Sequence, residues 1–176
     1  MSKIRLNINN LEWLERAQDF VDLYQFPKHL LEDVVRAPEE IKVDPTSEEK
    51  GYRVLQFRRG DISVVVGLRD PENPSVLHVW LHGVEEGDQH HTGKNSPGYA
   101  SGGGKNPKSP QQLRGWLQSE GCTLAFNGRG HYNVYWRDIL LGSVGSTVKT
   151  QAVLNDYSFM RRRLAAERAK ASLMED

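Results

Sequence analysis

Residues 109–144 read SPQQLRGWLQSEGCTLAFNGRGHYNVYWRDILLGSV. Ser109 followed by Pro110 predicts a helix start, because serine offers a capping oxygen and proline suits the first helical position. Leu113, Trp116 and Leu117 then fall on one helical face, and Gly121 ends the helix. Three strand-like runs follow, over 123–126, 131–136 and 139–144, with Arg137 and Asp138 making the tight turn between the last two. A final helix is expected from Thr150 to Arg168, with Val153, Leu154, Tyr157, Met160 and Leu164 on one face. The last few residues read as frayed. This half of the chain therefore has the order αβββα.

Upstream of it the composition changes. Residues 83–110, GVEEGDQHHTGKNSPGYASGGGKNPKSP, are rich in Gly, Ser, Asn, Pro and Lys and nearly devoid of apolar residues. They read as a linker or long loop. Before the linker, Leu11, Leu14, Ala17, Val21 and Tyr24 recur at helical spacing, with Asn9 or Asn10 as the cap. A second helix is expected over Lys28–Val35, ended by Ala37-Pro38. The polar residues 44–51 read as a loop. Three strands follow at Tyr52–Phe57, Ile62–Leu68 and Ser75–His82, joined by Arg59-Gly60-Asp61 and by the Asp70–Pro74 turn. The expected fold class is α+β in two small modules. Residues 1–84 form an ααβββ module with an antiparallel sheet, 85–108 are the linker, and 109–176 form the αβββα module.

Composition narrows the function classes. The chain has 176 residues and a net charge of zero, with 23 basic and 23 acidic residues. Residues 1–88 hold 11 Lys and Arg against 17 Asp and Glu, a balance of −6, and residues 89–176 hold 12 against 6, or +6. The basic half is the better candidate for a polyanion such as RNA or DNA, and the acidic half for a protein partner. The opposite charges also serve simply to dock the halves. Cys122 is the single cysteine, which excludes an internal disulfide and a thiolate metal cluster. No apolar run resembles a signal peptide or a membrane span, so a cytoplasmic location is expected. No cofactor is implied.

The candidate chemistry lies in Asn127–Trp136, NGRGHYNVYW. Gly128 and Gly130 bracket Arg129 just before a strand that begins at His131. Glycines let the backbone turn and approach a ligand closely. Arg129 carries a forked cation suited to phosphate, and His131 exchanges protons near neutrality. Strand alternation puts His131, Asn133 and Tyr135 on one face and the more apolar Tyr132, Val134 and Trp136 on the other. RNA carries its own nucleophile in the 2′-hydroxyl, so one His and one Arg suffice for cleavage without metal. The bland reading is a hairpin with an inert surface histidine.

The text GWLQSEGCTLAFNGRGHYNVYW, with Gly142–Thr147 and the terminal helix, resembles the HicA family of toxin ribonucleases. The resemblance covers residues 109–168. It implies a fold like the double-stranded-RNA-binding domain and a catalytic histidine at His131, with an antitoxin as partner. The family motif usually reads Gly-Ser-His, and Gly130 stands here in the place of the serine. The first half, through its order of elements and YRVLQFRRGDISVVVGL, faintly resembles the RelE and BrnT superfamily. That likeness makes Arg53, Arg58, Arg59 and His29 candidates for RNA contact, although Arg59-Gly60-Asp61 is explained by turn chemistry alone.

Arg161, Arg162 and Arg163, with Arg168 and Lys170, make the last helix basic. They either grip phosphates or complement the helix dipole. The expected nucleic-acid contacts are Arg129, Asn133, Tyr135, Arg161, Arg162 and Lys108, with His131 and Arg129 as the catalytic pair. No metal site is expected. His78 and His82 are about 13 Å apart on a strand at 3.3 Å per residue and do not share an ion, while His90 and His91 meet them only if the loop folds back. Three functions remain open: a metal-independent RNA endonuclease of the toxin type, a nucleic-acid-binding module without cleavage, and a phage or mobile-element factor that captures a host protein.

Overall fold

A computed structural model describes residues 6–82, 84, 106–147 and 150–175. The fold is mixed α+β with two sheets, as the sequence leads one to expect. The chain divides into two compact units. One is Met1–Gly83 together with Ala166–Asp176, and the other is Val84–Ala165.

The first unit contains β1 (Glu12–Trp13), α1 (Glu15–Tyr24), α2 (Lys28–Arg36), β2 (Glu40–Val43), α3 (Ser47–Lys50), β3 (Val54–Arg59), β4 (Ile62–Gly67) and β5 (Ser75–Leu81). Its sheet runs β1-β5-β4-β3-β2, antiparallel except for the parallel β1–β5 pair. Every residue of β4 is buried, as befits a central strand lined with valine. Helix α1 packs on β5, and α2 packs on β3 and β4. Ala17, Phe20, Tyr24, Leu30, Leu31, Val34 and Val35 supply the helical side of this core.

The structure departs from the sequence reading at both edges of this sheet. Ile8–Asn10 make a single 3-10 turn, and residues 11–14, where the helix is expected to begin, are not helical. Glu12 N donates to Pro74 O at 2.9 Å and Leu14 N to Val76 O at 3.1 Å, so this segment adds a short strand instead. Leu14, not Asn9 or Asn10, is the residue that precedes the helix. The stretch Glu40–Val43 forms the opposite edge, and residues 47–50 make one helical turn where a loop was expected.

The second unit contains α4 (Pro110–Ser119), β6 (Cys122–Phe126), β7 (His131–Trp136), β8 (Ile139–Gly145) and most of α5 (Thr150–Glu175). Ser109 Oγ accepts from Gln112 N at 3.2 Å, which is the capping bond expected of the Ser-Pro start. The three strands form an antiparallel sheet in the order β6-β7-β8. Leu113, Leu117, Cys122, Val134, Leu141, Val144, Val153, Met160 and Leu164 make one buried cluster between helices and sheet. Trp116, Leu124, Tyr132, Trp136 and Tyr157 pack around it. The sheet face carrying Tyr132, Val134 and Trp136 is thus the helix-covered one, and His131, Asn133 and Tyr135 alternate away from it.

The terminal helix does not fray after Arg168. It continues to Glu175, and Ala166, Glu167 and Ala169 are buried in the first unit. Lys170 Nζ donates to Tyr24 O, the last carbonyl of α1, at 2.7 Å and to Glu167 Oε1 at 2.6 Å. Small residues and this lysine hold turns that sequence alone assigns to solvent.

Candidate nucleic-acid interface

The link between β6 and β7 is built by Asn127. Its backbone N–H donates to His131 O at 3.0 Å, and its Oδ1 accepts from Arg129 N at 2.9 Å. This is an Asx turn, in which a side chain supplies the carbonyl that a backbone turn would otherwise use. Gly128 and Gly130 have φ of 77° and 78°, conformations that a side chain disfavours. The backbone of Gly130 is fastened from the far strand, its carbonyl accepting from both Ser146 N and Ser146 Oγ at 2.9 Å. Arg129 is therefore held at the tip of a defined loop, and it is exposed. Gly130→Ala is expected to destabilise the unit by about 1 kcal/mol through its left-handed φ, since the added carbon would meet only Ser146 Oγ, at an ordinary 3.9 Å. Urea denaturation checks this, and an unchanged midpoint refutes the strain argument.

His131 is exposed, and its Nδ1 lies 3.2 Å from Arg129 O. A carbonyl only accepts, so Nδ1 carries the proton in this contact and the lone pair of the neutral ring sits on Nε2. The imidazole is thereby oriented by its own turn, with the basic nitrogen at the other end of the ring.

Asp156 of α5 faces this corner. His131 pairs with Gly145 across β7 and β8, and Gly145 N–H donates to the Asp156 carboxylate. Burial pushes the carboxyl above its usual range, while the Gly145 bond and the charge of His131 oppose the rise. A carboxyl raised in the folded state contributes stability below its unfolded pKa and loses that contribution as pH rises through the folded value. Asp156→Asn cannot ionise. Its stability relative to the native chain is expected to increase from about pH 3 to about pH 7. Urea midpoints at the two pH values test the sign.

On the helix-covered face, one residue along β7 from the histidine, lies a stacked group. The Arg114 guanidinium sits 4.8 Å from the Tyr132 ring, and the Tyr132 ring lies 5.2 Å from Phe126. Arg114 Nη1 also reaches Ser146 O at 3.5 Å. Phe126 is 58% exposed, an aromatic face open to solvent at the end of β6. Such a face accepts a nucleic-acid base by stacking, independent of sequence.

The corner unites Arg129 and His131. Asn133 and Tyr135 lie farther along β7, half-buried, opposite Ala125 and Ser143 and opposite Thr123 and Leu140 respectively. Lys108 is exposed before α4, where its backbone N donates to Gln112 Oε1. Arg161 and Arg162 are half-buried and engaged on their own helix. The Arg161 guanidinium lies 5.9 Å from the Tyr157 ring, and Arg162 Nε donates to Ser158 O at 3.3 Å. Lys170 faces Tyr24 and Glu167 instead of a phosphate. Sequence reading missed Asp156, Arg114, Ser146 and Phe126. Arg114 and Asp156 occupy helix faces whose direction depends on packing, and no local motif marks them.

Comparison with family models, curated proteins and solved structures returns no match to this chain. Of the first-half candidates, Arg58 Nε donates to Gly60 O at 3.1 Å within its hairpin, which is ordinary turn chemistry. His82 Nε2 lies 2.7 Å from Ser63 Oγ, and His78 stacks edge-on to Trp80 at 4.5 Å. Among the described residues no group of three His, Cys, Asp or Glu is placed to hold a metal. His90 and His91, and most of the linker, lie outside the described residues. None of the described helices is long and apolar enough to cross a membrane.

Proposed function

We propose that the Val84–Ala165 unit binds RNA at the Asn127–His131 turn and cuts it without a metal, as a toxin-type endonuclease would. The observation that carries this reading is the exposed imidazole of His131, whose Nδ1 contact to Arg129 O leaves the lone pair on Nε2. In the proposed step Nε2 takes the proton from a 2′-hydroxyl. The freed oxygen attacks the adjacent phosphorus, and the 5′-oxygen leaves with a proton returned from the imidazolium. Arg129 offsets charge on the phosphate oxygens. Phe126 and Arg114, around the rim from the imidazole, supply a stacking surface and a second cation for the flanking RNA.

The chemistry fixes the test. Purified protein should cleave RNA in EDTA and leave a 2′,3′-cyclic phosphate and a 5′-hydroxyl. A single 2′-deoxynucleotide at the cut should block the reaction, because it removes the nucleophile. Cleavage of that substrate at an undiminished rate would refute the mechanism.

A second reading is binding without cleavage. It is favoured by Gly130, which stands where the resembled family carries serine. It predicts a mobility shift of labelled RNA that weakens steeply with salt and yields no product. In either case the acidic first unit is the proposed surface for a protein partner, such as an antitoxin or a captured host protein.

A further inference from the structure

The five-stranded sheet of the first unit ends on the short strand β2, whose one face is charged and whose other face is apolar. Ile41 is 47% exposed and Val43 66% exposed. Across the register they lie beside Phe57 and Leu55, which are buried. The apolar face of the sheet therefore runs out to its rim and stops there uncovered. Glu40 and Lys42 put charge on the opposite face, a device that blocks indiscriminate pairing and admits only a partner that matches those charges.

The backbone is presented as well. Asp44 N–H donates to Val54 O at 2.8 Å, so Asp44 turns its backbone groups toward β3. In an antiparallel strand every second residue does the same, which places Lys42 and Glu40 with Asp44. Ile41 and Val43 then direct their N–H and C=O groups to the open side. Pro38 and Pro45 bracket the strand, and proline interrupts a ladder, so pairing here is confined to a short register.

We propose that this edge pairs with the β2 edge of a second copy of the chain, antiparallel and centred on Ile41, to form a two-fold dimer. The sequence Glu40-Ile41-Lys42 is self-complementary in that register. Ile41 lies opposite the second copy's Ile41 and exchanges both backbone bonds with it. Glu40 lies opposite the second copy's Lys42, and Lys42 opposite the second copy's Glu40. Within one copy Lys42 Nζ already sits 3.1 Å from Glu40 Oε1, so both charges lie on the same sheet face and transfer across the two-fold without changing sides. Arg58 flanks Glu40 in the register, which continues an alternation of basic and acidic groups across the joint.

The neighbouring register, centred on Val43, would set Ile41 opposite Pro45, which has no N–H, and so loses the same outer bond as the Ile41 register, where Val43 meets Glu39 and the Glu39 N–H already donates to Arg58 O at 2.8 Å. The charges separate the two. The Val43 register would set Lys42 opposite Asp44, whose carboxylate already accepts from Thr46 N at 2.9 Å and Thr46 Oγ1 at 2.6 Å, and would leave Glu40 opposite the uncharged Thr46. A two-fold contact is isologous and closes on itself, so it gives a dimer and not a fibre.

Sedimentation equilibrium of the whole chain tests this. The native protein should shift from monomer to dimer as concentration rises to about 0.5 mM, the range suited to a contact this small. Glu40→Lys alone sets lysine against lysine, and Lys42→Glu alone sets glutamate against glutamate. Each should weaken the dimer by about tenfold, because every change counts twice across the two-fold. The double variant Glu40→Lys/Lys42→Glu restores opposite charges and should return the dimer to within about threefold of native. A monomer at every concentration overturns the proposal. So does a dimer that neither single reversal weakens, or one that the double reversal fails to restore. All these positions are exposed, and circular dichroism confirms that the variants fold.

Discussion

His131→Ala should lower RNA cleavage by about 10²- to 10⁴-fold, the range that one positioned general base supplies. The fold should be almost untouched. The side chain is exposed, and the bonds that shape the turn come from backbone groups and from Asn127 and Ser146, which the substitution leaves in place. Stability should stay within about 0.5 kcal/mol of native, as for ordinary surface changes. Single-turnover cleavage and urea denaturation of the same preparation separate the two effects. Cleavage that persists at the native rate removes the imidazole from the mechanism. RNA affinity should fall far less than the rate, since Arg129, Arg114 and Phe126 remain.

The second large effect concerns stability. Lys170→Met should cost about 3 kcal/mol, the scale for removing one partner of a buried ion pair. The Lys170 side chain is 12% exposed and that of Glu167 5%. The ammonium bridges Glu167 to the carbonyl that ends α1, and it lies 5.8 Å from the Phe26 ring. Methionine keeps the aliphatic stem and deletes only the charge, so the loss reports on the two bonds that the ammonium gives the carboxylate and the carbonyl. Adding Glu167→Gln should recover part of it, because the buried charge is then gone. A lysine holding only a phosphate in the bound state would show no loss in the free protein, so the urea midpoint distinguishes the two roles.

Where the sequence was legible, burial and local chemistry agreed. The strand His131–Trp136 shows alternation about the buried Val134, and Ser109-Pro110 caps its helix with one short bond. The edge strand Glu40–Val43 escaped notice because all its residues are exposed and its charges resemble those of a loop. The residues before Glu15 mimic a helical stripe, yet their backbone groups are claimed by Pro74 and Val76, far along the chain. The candidate site was half visible. Arg129 and His131 share one local motif, which their spacing exposes. Asp156 joins them only through the register of a helix on a sheet, and pattern alone does not fix that register. Of the arginine run at 161–163, which sequence alone reads either as a phosphate grip or as a complement to the helix dipole, Arg161 lies over the Tyr157 ring and Arg162 Nε donates to Ser158 O, contacts that only the helix register reveals.

One helix, Thr150–Glu175, belongs to both units. The first unit is thus assembled from two separate stretches of the chain, with the other unit between them in sequence. During translation its earlier stretch leaves the ribosome before the inserted unit, yet its closing residues are polymerised after it. The inserted unit has its full complement earlier. Vectorial synthesis therefore reverses the expected order: of the two, the unit begun first completes its core second.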